Sequence, residues 1–287
     1  MAFPAGCYPK TQKPLSVPFV GALDALIAQG ATVLFAGSVR RLLSSYAGDS
    51  LKLQGNGTGT PIASIPFTSA GDIDLVAAAA AASAGGGTAA AGHTWYDQTG
   101  TLDATQPNTA LQMIFSTALQ SKGGFGDGSA ITGVYFTRNF GTLPTPSLAL
   151  FVADVGSSLN KFLLGASASA FNRYCRVSSF AMQQNWGSTL AGTGNEVTTG
   201  KHSLGYLING AGSKNILDGT VILTGDANNT QLDLSGGVIG AAQAGGFNWL
   251  SGAGNGMSEF ILFGSDPTGL AGWADFVAAQ KTYFGIA

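Results

Sequence analysis

Side chains that could act as acids or nucleophiles are few in this chain. Glutamate occurs only as Glu196 and Glu259. Hydrolysis of a glycosidic bond with retention needs two carboxyl groups about 5–5.5 Å apart, one as nucleophile and one as acid. Glu259 lies in a predicted strand and Glu196 in a Gly/Thr-rich turn, so we interpret them as a structural carboxylate and a solvated loop residue. Four aspartates remain as possible acids, although their spacing does not show which of them face each other: Asp97, Asp103, Asp226 and Asp233.

A second segment that could do chemistry is "TWYDQTGTLDATQP", residues 94–107, which follows a tract of almost only Ala and Gly. In the interpretation that we favour it is a structural corner, in which Trp95 packs in the core. Asp97 and Gln98 then bond the backbone groups that the Thr-Gly turn leaves free. The alternative is a sugar platform, because an aromatic ring beside Asp and Gln can stack on a pyranose and hold its hydroxyls.

Two loop tryptophans are better candidates for binding a glycan. Trp186 follows Asn185 in "QQNWGS", and Trp249 follows Asn248 in "GGFNWLSG". Each pair lies next to Gly in a predicted loop, where burial of a large ring is harder to explain. The predicted glycan-binding residues are therefore Trp186, Asn185, Trp249, Asn248, Trp95, Asp97 and Gln98.

Other kinds of site have weaker support in the sequence. His93 or His202 could contribute to a Ser/His/Asp arrangement, but no nucleophile-elbow string accompanies them. No cluster has transition-metal spacing, and we expect no cofactor. Residues 218–237 carry Asp and Asn oxygens that could bind calcium, yet they are more typical of turns. Cys7 and Cys175 are predicted to be unpaired thiols.

Composition limits the class of protein. Only 10% of the 287 residues are charged, 45% are apolar, the net charge is −2 and 43 residues are Gly, which favours a β-rich globular chain with many turns over a disordered one. Arg40-Arg41 is the only doublet of basic residues, so nucleic acid is not an expected partner. The first residues have neither the pattern of a signal peptide nor that of a membrane span, so we expect no membrane insertion.

The first third of the chain predicts a mixture of elements. Helical spacing of apolar residues indicates a helix over 20–30, and β-branched and aromatic residues indicate a strand within 31–48. Residues 49–67 alternate and turn through glycines, as in a hairpin. An Ala-rich helix follows, with Asp72 or Asp74 as its cap.

From about residue 110 onward, nine short segments with β-branched or aromatic residues, separated by Gly, Asn, Asp or Ser, favour an antiparallel β-sandwich. The chain then ends in a predicted amphipathic helix. Asp266 is its expected cap and Pro267 its first residue. The apolar face of this helix consists of Leu270, Trp273, Phe276, Val277 and Phe284.

Four strings of residues resemble one family. "AGSVRRLLSSYAGDSLKLQ" (36–54) and "TWYDQTGTLDATQP" (94–107) resemble the catalytic domain of alpha-L-arabinofuranosidase B and its phage-encoded relatives. "MSEFILFG" (257–264) and "FVAAQKTYFGI" (276–286) resemble the last strand and closing helix of concanavalin-A-like, or laminin-G-like, sandwiches. The resemblance implies an all-β, concanavalin-A-like jelly roll over residues 35–287. Residues 1–34 have no counterpart in the family, and their prolines and helical spacing predict a Pro-rich arm and a short helix that could serve in attachment.

The resemblance also carries functional expectations. In the family, the nucleophile follows a pair of cysteines in a region comparable to "LLGASASAFNRYCRV" (163–177), which here has no carboxylate and one Cys. We therefore expect a chain without enzymatic activity. It would be a structural or appendage protein of a phage or phage-like particle, assembled in the host cytoplasm. Its expected partners are virion proteins, further copies of itself and host-surface polysaccharide. The alternatives are an arabinofuranosidase-like glycoside hydrolase and a cellular lectin-like module.

Overall fold

The architecture is an antiparallel β-sandwich with three short helices. The computed structural model describes residues 19–56, 62–116, 122–126, 135–156, 161–166, 173–230, 232–241 and 255–287. The helices are α1 (Asp24–Ala28), α2 (Leu75–Ser83) and α3 (Trp273–Phe284). The strands are β1 (Val33–Ser38), β2 (Leu51–Gly55), β3 (Ile62–Ile65), β4 (Ala90–Trp95), β5 (Ala104–Thr105), β6 (Ile114–Ser116), β7 (Gly124–Gly126), β8 (Phe136–Arg138), β9 (Ser147–Val155), β10 (Lys161–Ala166), β11 (Tyr174–Ser178), β12 (Ala181–Asn185), β13 (Thr189–Ala191), β14 (Gly200–Ile208), β15 (Ser213–Leu217), β16 (Thr220–Gly225), β17 (Gly237–Ile239) and β18 (Gly256–Phe263).

The strands form two layers. In the first sheet the order is β1-β18-β9-β14-β15-β16, and every pair is antiparallel. In the second sheet the order is β3-β2-β4-β5-β8-β17-β10-β11-β12-β13, also antiparallel. Strands β6 and β7 connect the layers by linking β4 to β18. The all-β sandwich predicted from the sequence is therefore confirmed.

Local sequence explains how several elements begin and turn. Asp74 caps α2, because its Oδ1 accepts hydrogen bonds from the backbone N–H groups of Val76 and Ala77. The hairpin between β15 and β16 turns at Asp218 and Gly219, which both have positive φ (51° and 87°), as expected of an Asp-Gly turn. The first feature confirms the predicted cap of α2. The second shows how residues 214–225 divide into two strands.

The main core lies between the sheets. Its largest side chains are aromatic and fully buried, and Phe151 of β9 stacks on Phe260 of β18 with ring centroids 4.6 Å apart. Trp95 of β4 contacts Phe125 and Phe136 edge-on or tilted, at 5.2 and 6.0 Å. Such contacts add to the stability that simple burial supplies.

A second core lies on the outer face of the first sheet. Ile261 and Phe263 of β18 point away from the main core and pack against Trp273 of α3 and Leu26 of α1. The predicted C-terminal helix is thus confirmed, although Asp266 caps a 3-10 turn at Pro267–Gly269 that precedes α3. Since Leu26 belongs to this cluster, residues 19–34 pack on the sandwich. The proposed boundary between 34 and 35 stays a prediction.

The predicted strand within 31–48 is shorter than expected. Strand β1 ends at Ser38, and the next residues form loops and bends. Arg40 turns inward to pair with Glu259, and Leu42 and Leu43 join the second core. The apolar residues of this segment therefore serve burial under a helix, and apolar content alone had made them look like a strand.

Candidate functional site

The corner segment 94–107 is built around a buried ion pair between Asp97 and Arg138. Asp97 Oδ2 lies 3.0 Å from Arg138 Nη1, and both side chains are buried. The same carboxylate accepts hydrogen bonds from Ala36 N–H (2.9 Å) and from the hydroxyls of Thr99 and Thr101. Burial lowers the pKa of Arg138, and the neighbouring Asp97 carboxylate opposes that shift. Every oxygen of Asp97 is engaged, so this residue holds the corner together.

The rest of the corner also serves structure. Gln98 Oε1 accepts from Leu42 N–H (2.6 Å), and its amide donates to the Arg40 carbonyl (2.9 Å). Trp95 has no exposed surface. A fully buried ring cannot stack on a sugar, and so the structural interpretation of Trp95, Asp97 and Gln98 agrees with the structure. Their alternative role as a sugar platform does not.

Trp186 was the stronger candidate for a platform, and the structure places it in the core. Its ring is fully buried and its Nε1–H donates to Gln184 Oε1 at 3.2 Å. Asn185 shapes the following turn, accepting from Gly187 N–H and donating to Thr189. The Trp186 ring therefore offers no face to a sugar and Asn185 is also buried, so the structure does not support their glycan-binding role, which stays a prediction. Asn248 and Trp249 lie outside the described residues and stay predictions.

An open cleft lies on the outer face of the second sheet, at one end of β5, β8 and β17. Its volume is about 430 Å³, within the range of small-molecule sites. One wall is formed by residues 102–105, the floor by 137–139 and the other wall by 235–237. The side chains that line it are Leu102, Asp103, Thr105, Thr137, Arg138, Asn139 and Ser235.

Strand register explains why these residues meet. Thr105 of β5 pairs with Thr137 of β8, and Thr137 pairs with Val238 of β17. Paired residues point to the same face of a sheet, while Phe136 and Ile239, one position along, point into the core. The cleft therefore lies where the outward-facing Thr105 and Thr137 meet the turn at 235–237, and its lining comes from three distant parts of the chain.

Asp103 supplies the carboxylate that lines the cleft. Its Oδ1 accepts a hydrogen bond from the Asp97 N–H at 3.0 Å, which fixes the side chain against the corner. Arg138, on the floor, is itself fixed by Asp97 and by the Leu34 carbonyl (2.8 Å). Asp103 is thus held in the cleft by the corner, while the Arg138 guanidinium lies beneath it, buried against Asp97 and the Leu34 carbonyl. A carboxylate fixed in this way can accept hydrogen bonds from the hydroxyls of a sugar.

A second carboxylate lies close in sequence to the opposite wall, although it is not among the lining residues. Asp233 precedes the lining residue Ser235 by two positions, and its Oδ1 accepts from the Ser235 N–H (2.9 Å) and hydroxyl. These hydrogen bonds, with Ser235 as the main cause, lower the pKa of Asp233. Asp233 is thus held ionised at neutral pH.

Beyond the cleft, the same sheet carries a small buried aromatic cluster. Phe162 of β10 and Tyr174 of β11 contact edge-on at 5.2 Å, and the Arg176 guanidinium lies 5.1 and 4.7 Å from their ring centres. Gln183 of β12 accepts two hydrogen bonds from Arg176. Both rings are buried, so this part of the sheet offers no aromatic platform to a sugar.

The other candidate acids serve structure. Glu259 is fully buried and accepts two hydrogen bonds from Arg40 and one each from Ser38 and Gln280, which agrees with the structural role expected for it. Glu196 Oε1 closes a turn with Thr193 and Gly194, as expected of a loop residue. Asp226 Oδ1 accepts from the Asn228 N–H in another turn. That turn lies in the segment considered for calcium.

His202 and Cys175 are also held in structural roles. His202 Nδ1 lies 2.8 Å from Asp218 Oδ2, while Nε2 lies 3.1 Å from the Thr198 carbonyl and 3.3 Å from its hydroxyl. Since Nε2 faces a carbonyl acceptor, the ring donates there and anchors the start of β14 instead of acting as a base. Cys175 is a free thiol in the core, and burial raises its pKa well above the ordinary value. Cys7 lies outside the described residues.

The described residues contain neither a metal-ligand cluster nor a membrane-spanning helix. In the part of the chain that the structure describes, no group of three or more His, Cys, Asp or Glu side chains is placed to hold a metal ion. None of the helices described is both long and apolar enough to cross a membrane.

Comparison with known proteins shows the fold. No family model matches the chain. No curated protein matches it either. A solved GH54 α-L-arabinofuranosidase soaked with a cyclic sulfate inhibitor matches 91% of this chain at 16% identity and a TM-score of 0.64. An arabinofuranosidase complexed with arabinofuranosyl-α-1,2-xylobiose matches 91% at 15% identity and a TM-score of 0.63. The chain spans 66% and 65% of the length of those two chains.

These matches confirm the resemblance in fold and contradict the expectation of a chain without enzymatic activity. Both of these solved structures, which share the fold over 91% of the chain, are arabinofuranosidases. The expectation rested on the lack of a carboxylate in one short segment, and at such low identity a short segment cannot be aligned residue by residue. None of these matches supports the predicted place in a phage-like particle. That place, the virion partners and the self-association stay predictions.

Sequence reasoning missed most of the cleft. Asp103 and Asp233 were among six candidate carboxylates with nothing to select them, and Thr137, Arg138 and Ser235 were not candidates. The one local signal was "FTR" in β8, where an Arg follows an outward-facing Thr. Only the register of β5, β8 and β17 brings these residues together.

Proposed function

We propose that this chain is a glycoside hydrolase of the arabinofuranosidase type and that the sugar binds in the cleft between β5, β8 and β17. The observation that carries the proposal is the cleft itself, in which Asp103, fixed by a hydrogen bond from the Asp97 N–H, lies beside the outward threonines Thr105 and Thr137. The likeness in fold to arabinofuranosidases over most of the chain supports the choice of substrate.

The proposed chemistry needs two carboxyl groups that flank the bound sugar. We assign the acid that protonates the leaving oxygen to Asp103, which lines the cleft, and the nucleophile or base to Asp233, two positions before the lining residue Ser235. The two outward threonines, Thr105 and Thr137, would hold the hydroxyls of the sugar. A furanose of five ring atoms fits a cleft of about 430 Å³.

The direct test is the release of 4-nitrophenol from 4-nitrophenyl α-L-arabinofuranoside, the compound soaked into a mutant of a GH54 arabinofuranosidase that also has this fold, with a TM-score of 0.60. We expect turnover by the wild-type chain and a loss of about 10²–10⁴-fold in kcat for Asp103→Asn and for Asp233→Asn. Asp226→Asn is the matched control, because Asp226 is an exposed aspartate in the same kind of turn as Asp233. Turnover that survives both cleft substitutions, or a wild-type chain that releases no product, would overturn the proposal.

A further inference from the structure

Asp154 and Lys201 form an unusual couple on the outer face of the first sheet. Asp154 of β9 and Lys201 of β14 lie directly opposite each other in antiparallel register. Their side chains share one face, and the neighbouring Ala153 and Val155 belong to the main core. The Lys201 Nζ lies 4.7 Å from the ring centre of Phe284, in the last turn of α3. The couple is therefore beneath the end of the helix.

Both groups are buried. Asp154 is 8% exposed, and among the described residues neither its Oδ2 nor the Lys201 Nζ has a hydrogen-bond partner. No oxygen of Asp154 lies within 4.0 Å of Lys201 Nζ, so they do not form an ion pair like that of Arg40 with Glu259. Buried charges without partners are costly, which makes a neutral or covalent state favourable at this position.

Burial brings the two groups towards neutrality. It raises the pKa of Asp154 to about 6, although Lys201 and His202 act in the other direction. It also lowers the pKa of Lys201 to about 8, against the attraction of Asp154 and Glu259 and with the repulsion of Lys122. A neutral amine beside a protonated carboxyl group is the state in which an amine attacks a carboxyl carbon.

We propose that Asp154 and Lys201 condense into an intramolecular isopeptide bond that links β9 to β14. The Nζ of Lys201 forms a bond to Cγ of Asp154, the bond from Cγ to the hydroxyl oxygen breaks, and that oxygen leaves as water with one hydrogen from the amine. No oxidant or other reactant is needed. Opposite residues in an antiparallel pair have Cβ atoms about 4.5–5.5 Å apart, within the reach of a lysine chain. Fixed proximity in a site that excludes water lowers the barrier to this reaction.

A second Asp–Lys couple in the same protein is a matched contrast. Lys122 Nζ lies 3.6 Å from Asp72 Oδ1, but these side chains are 34% and 41% exposed. Water keeps both groups charged, so the closer couple is not expected to condense. Proximity alone would predict the reverse order, and the two couples therefore separate the effect of burial from that of distance.

The test is the intact mass of the folded wild-type chain after incubation between pH 6 and pH 8. We expect a mass about 18 Da below that of the sequence, the mass of one water. Proteolysis and tandem mass spectrometry should give one branched peptide that contains both Asp154 and Lys201. Lys201→Arg and Asp154→Ala should each restore the full mass, and Lys122→Arg should keep the deficit. Because the bond needs the folded chain, the wild-type mass and the branched peptide decide the test, and the variants locate the bond.

A conservative variant sharpens the test. Asp154→Asn can form the same amide by losing ammonia, and its product should have the same mass as the wild-type product. A wild-type chain with the full mass would overturn the proposal. So would a deficit that persists in Lys201→Arg, because it would arise elsewhere in the chain.

Discussion

The two outward faces of the sandwich differ in what covers them. On the first sheet, α1 and α3 pack over Ile261 and Phe263, and the polar groups there are buried with the helices. On the second sheet, Thr105 and Thr137 line an open cleft that no helix covers among the described residues. The covered face stabilises the fold by burying apolar surface, and the uncovered face is free to contact a ligand. Antiparallel sheets commonly divide their two faces in this way.

The strongest test of this comparison removes a large side chain from the covered face. Phe263→Ala deletes a fully buried ring beneath α3, and we expect the free energy of unfolding to fall by about 3–5 kcal/mol. Thr137→Ala on the open face should change it by less than about 0.5 kcal/mol. Urea unfolding of both variants measures the difference. Similar losses for the two would show that the faces do not differ in this way.

The next test concerns the ion pair beneath the cleft. Arg138→Met leaves the buried Asp97 carboxylate without its cation, and we expect a loss of about 3 kcal/mol in unfolding free energy. Arg176→Met, on the open face farther from the cleft, leaves only half-buried partners and should cost less than about 1 kcal/mol. Chemical denaturation with a common reference buffer compares them. Equal effects would mean that Asp97 is held by its other hydrogen bonds alone.

A glycine tests the inner side of the second sheet. A Cβ on Gly92 of β4 would lie 2.5 Å from ring atoms of both Phe125 and Phe136. Gly92→Ala should therefore lower the free energy of unfolding by about 1–3 kcal/mol through overpacking. Gly100→Ala is an unsuitable control because Gly100 has a positive φ of 74°, whereas Ala91→Val, at the neighbouring outward position of β4, should be nearly neutral. Thermal unfolding of the pair shows whether the core behind the open face is tightly packed.

The smallest expected effect is a pH dependence of folding stability that arises from His93 on β4 of the second sheet. Burial, with help from Lys52, lowers the pKa of His93 in the folded protein. The unfolded chain therefore binds this proton more readily, and stability should fall as pH decreases below about 6.5 until the folded state is also protonated. His93→Gln should flatten that part of a plot of Tm against pH between 5 and 7. An unchanged slope would show that other groups cause the loss of stability at low pH.

The sequence by itself determined most of the elements of this protein. Alternation and turn residues predicted the strands, and Asp74 with the Ala run predicted α2. The spacing of apolar residues predicted α3 and its aromatic face. The structural roles of Asp97 and Glu259 could also be predicted, because a carboxylate inside an apolar strand or before a tight turn must find local partners. These are local properties, and they depend on residues only a few positions apart.

The tertiary structure alone decided which residues meet. Trp186 lies next to Asn and Gly in the sequence, as an exposed loop residue would, yet the packing of β12 on the core buries it completely. Asp103, Thr137 and Ser235 are more than 30 and almost 100 positions apart, and they share one cleft because β5, β8 and β17 are neighbours in the sheet. Strand register joins distant segments without leaving a periodic signal in any of them, so neither the cleft nor the couple of Asp154 and Lys201 could be found from the sequence.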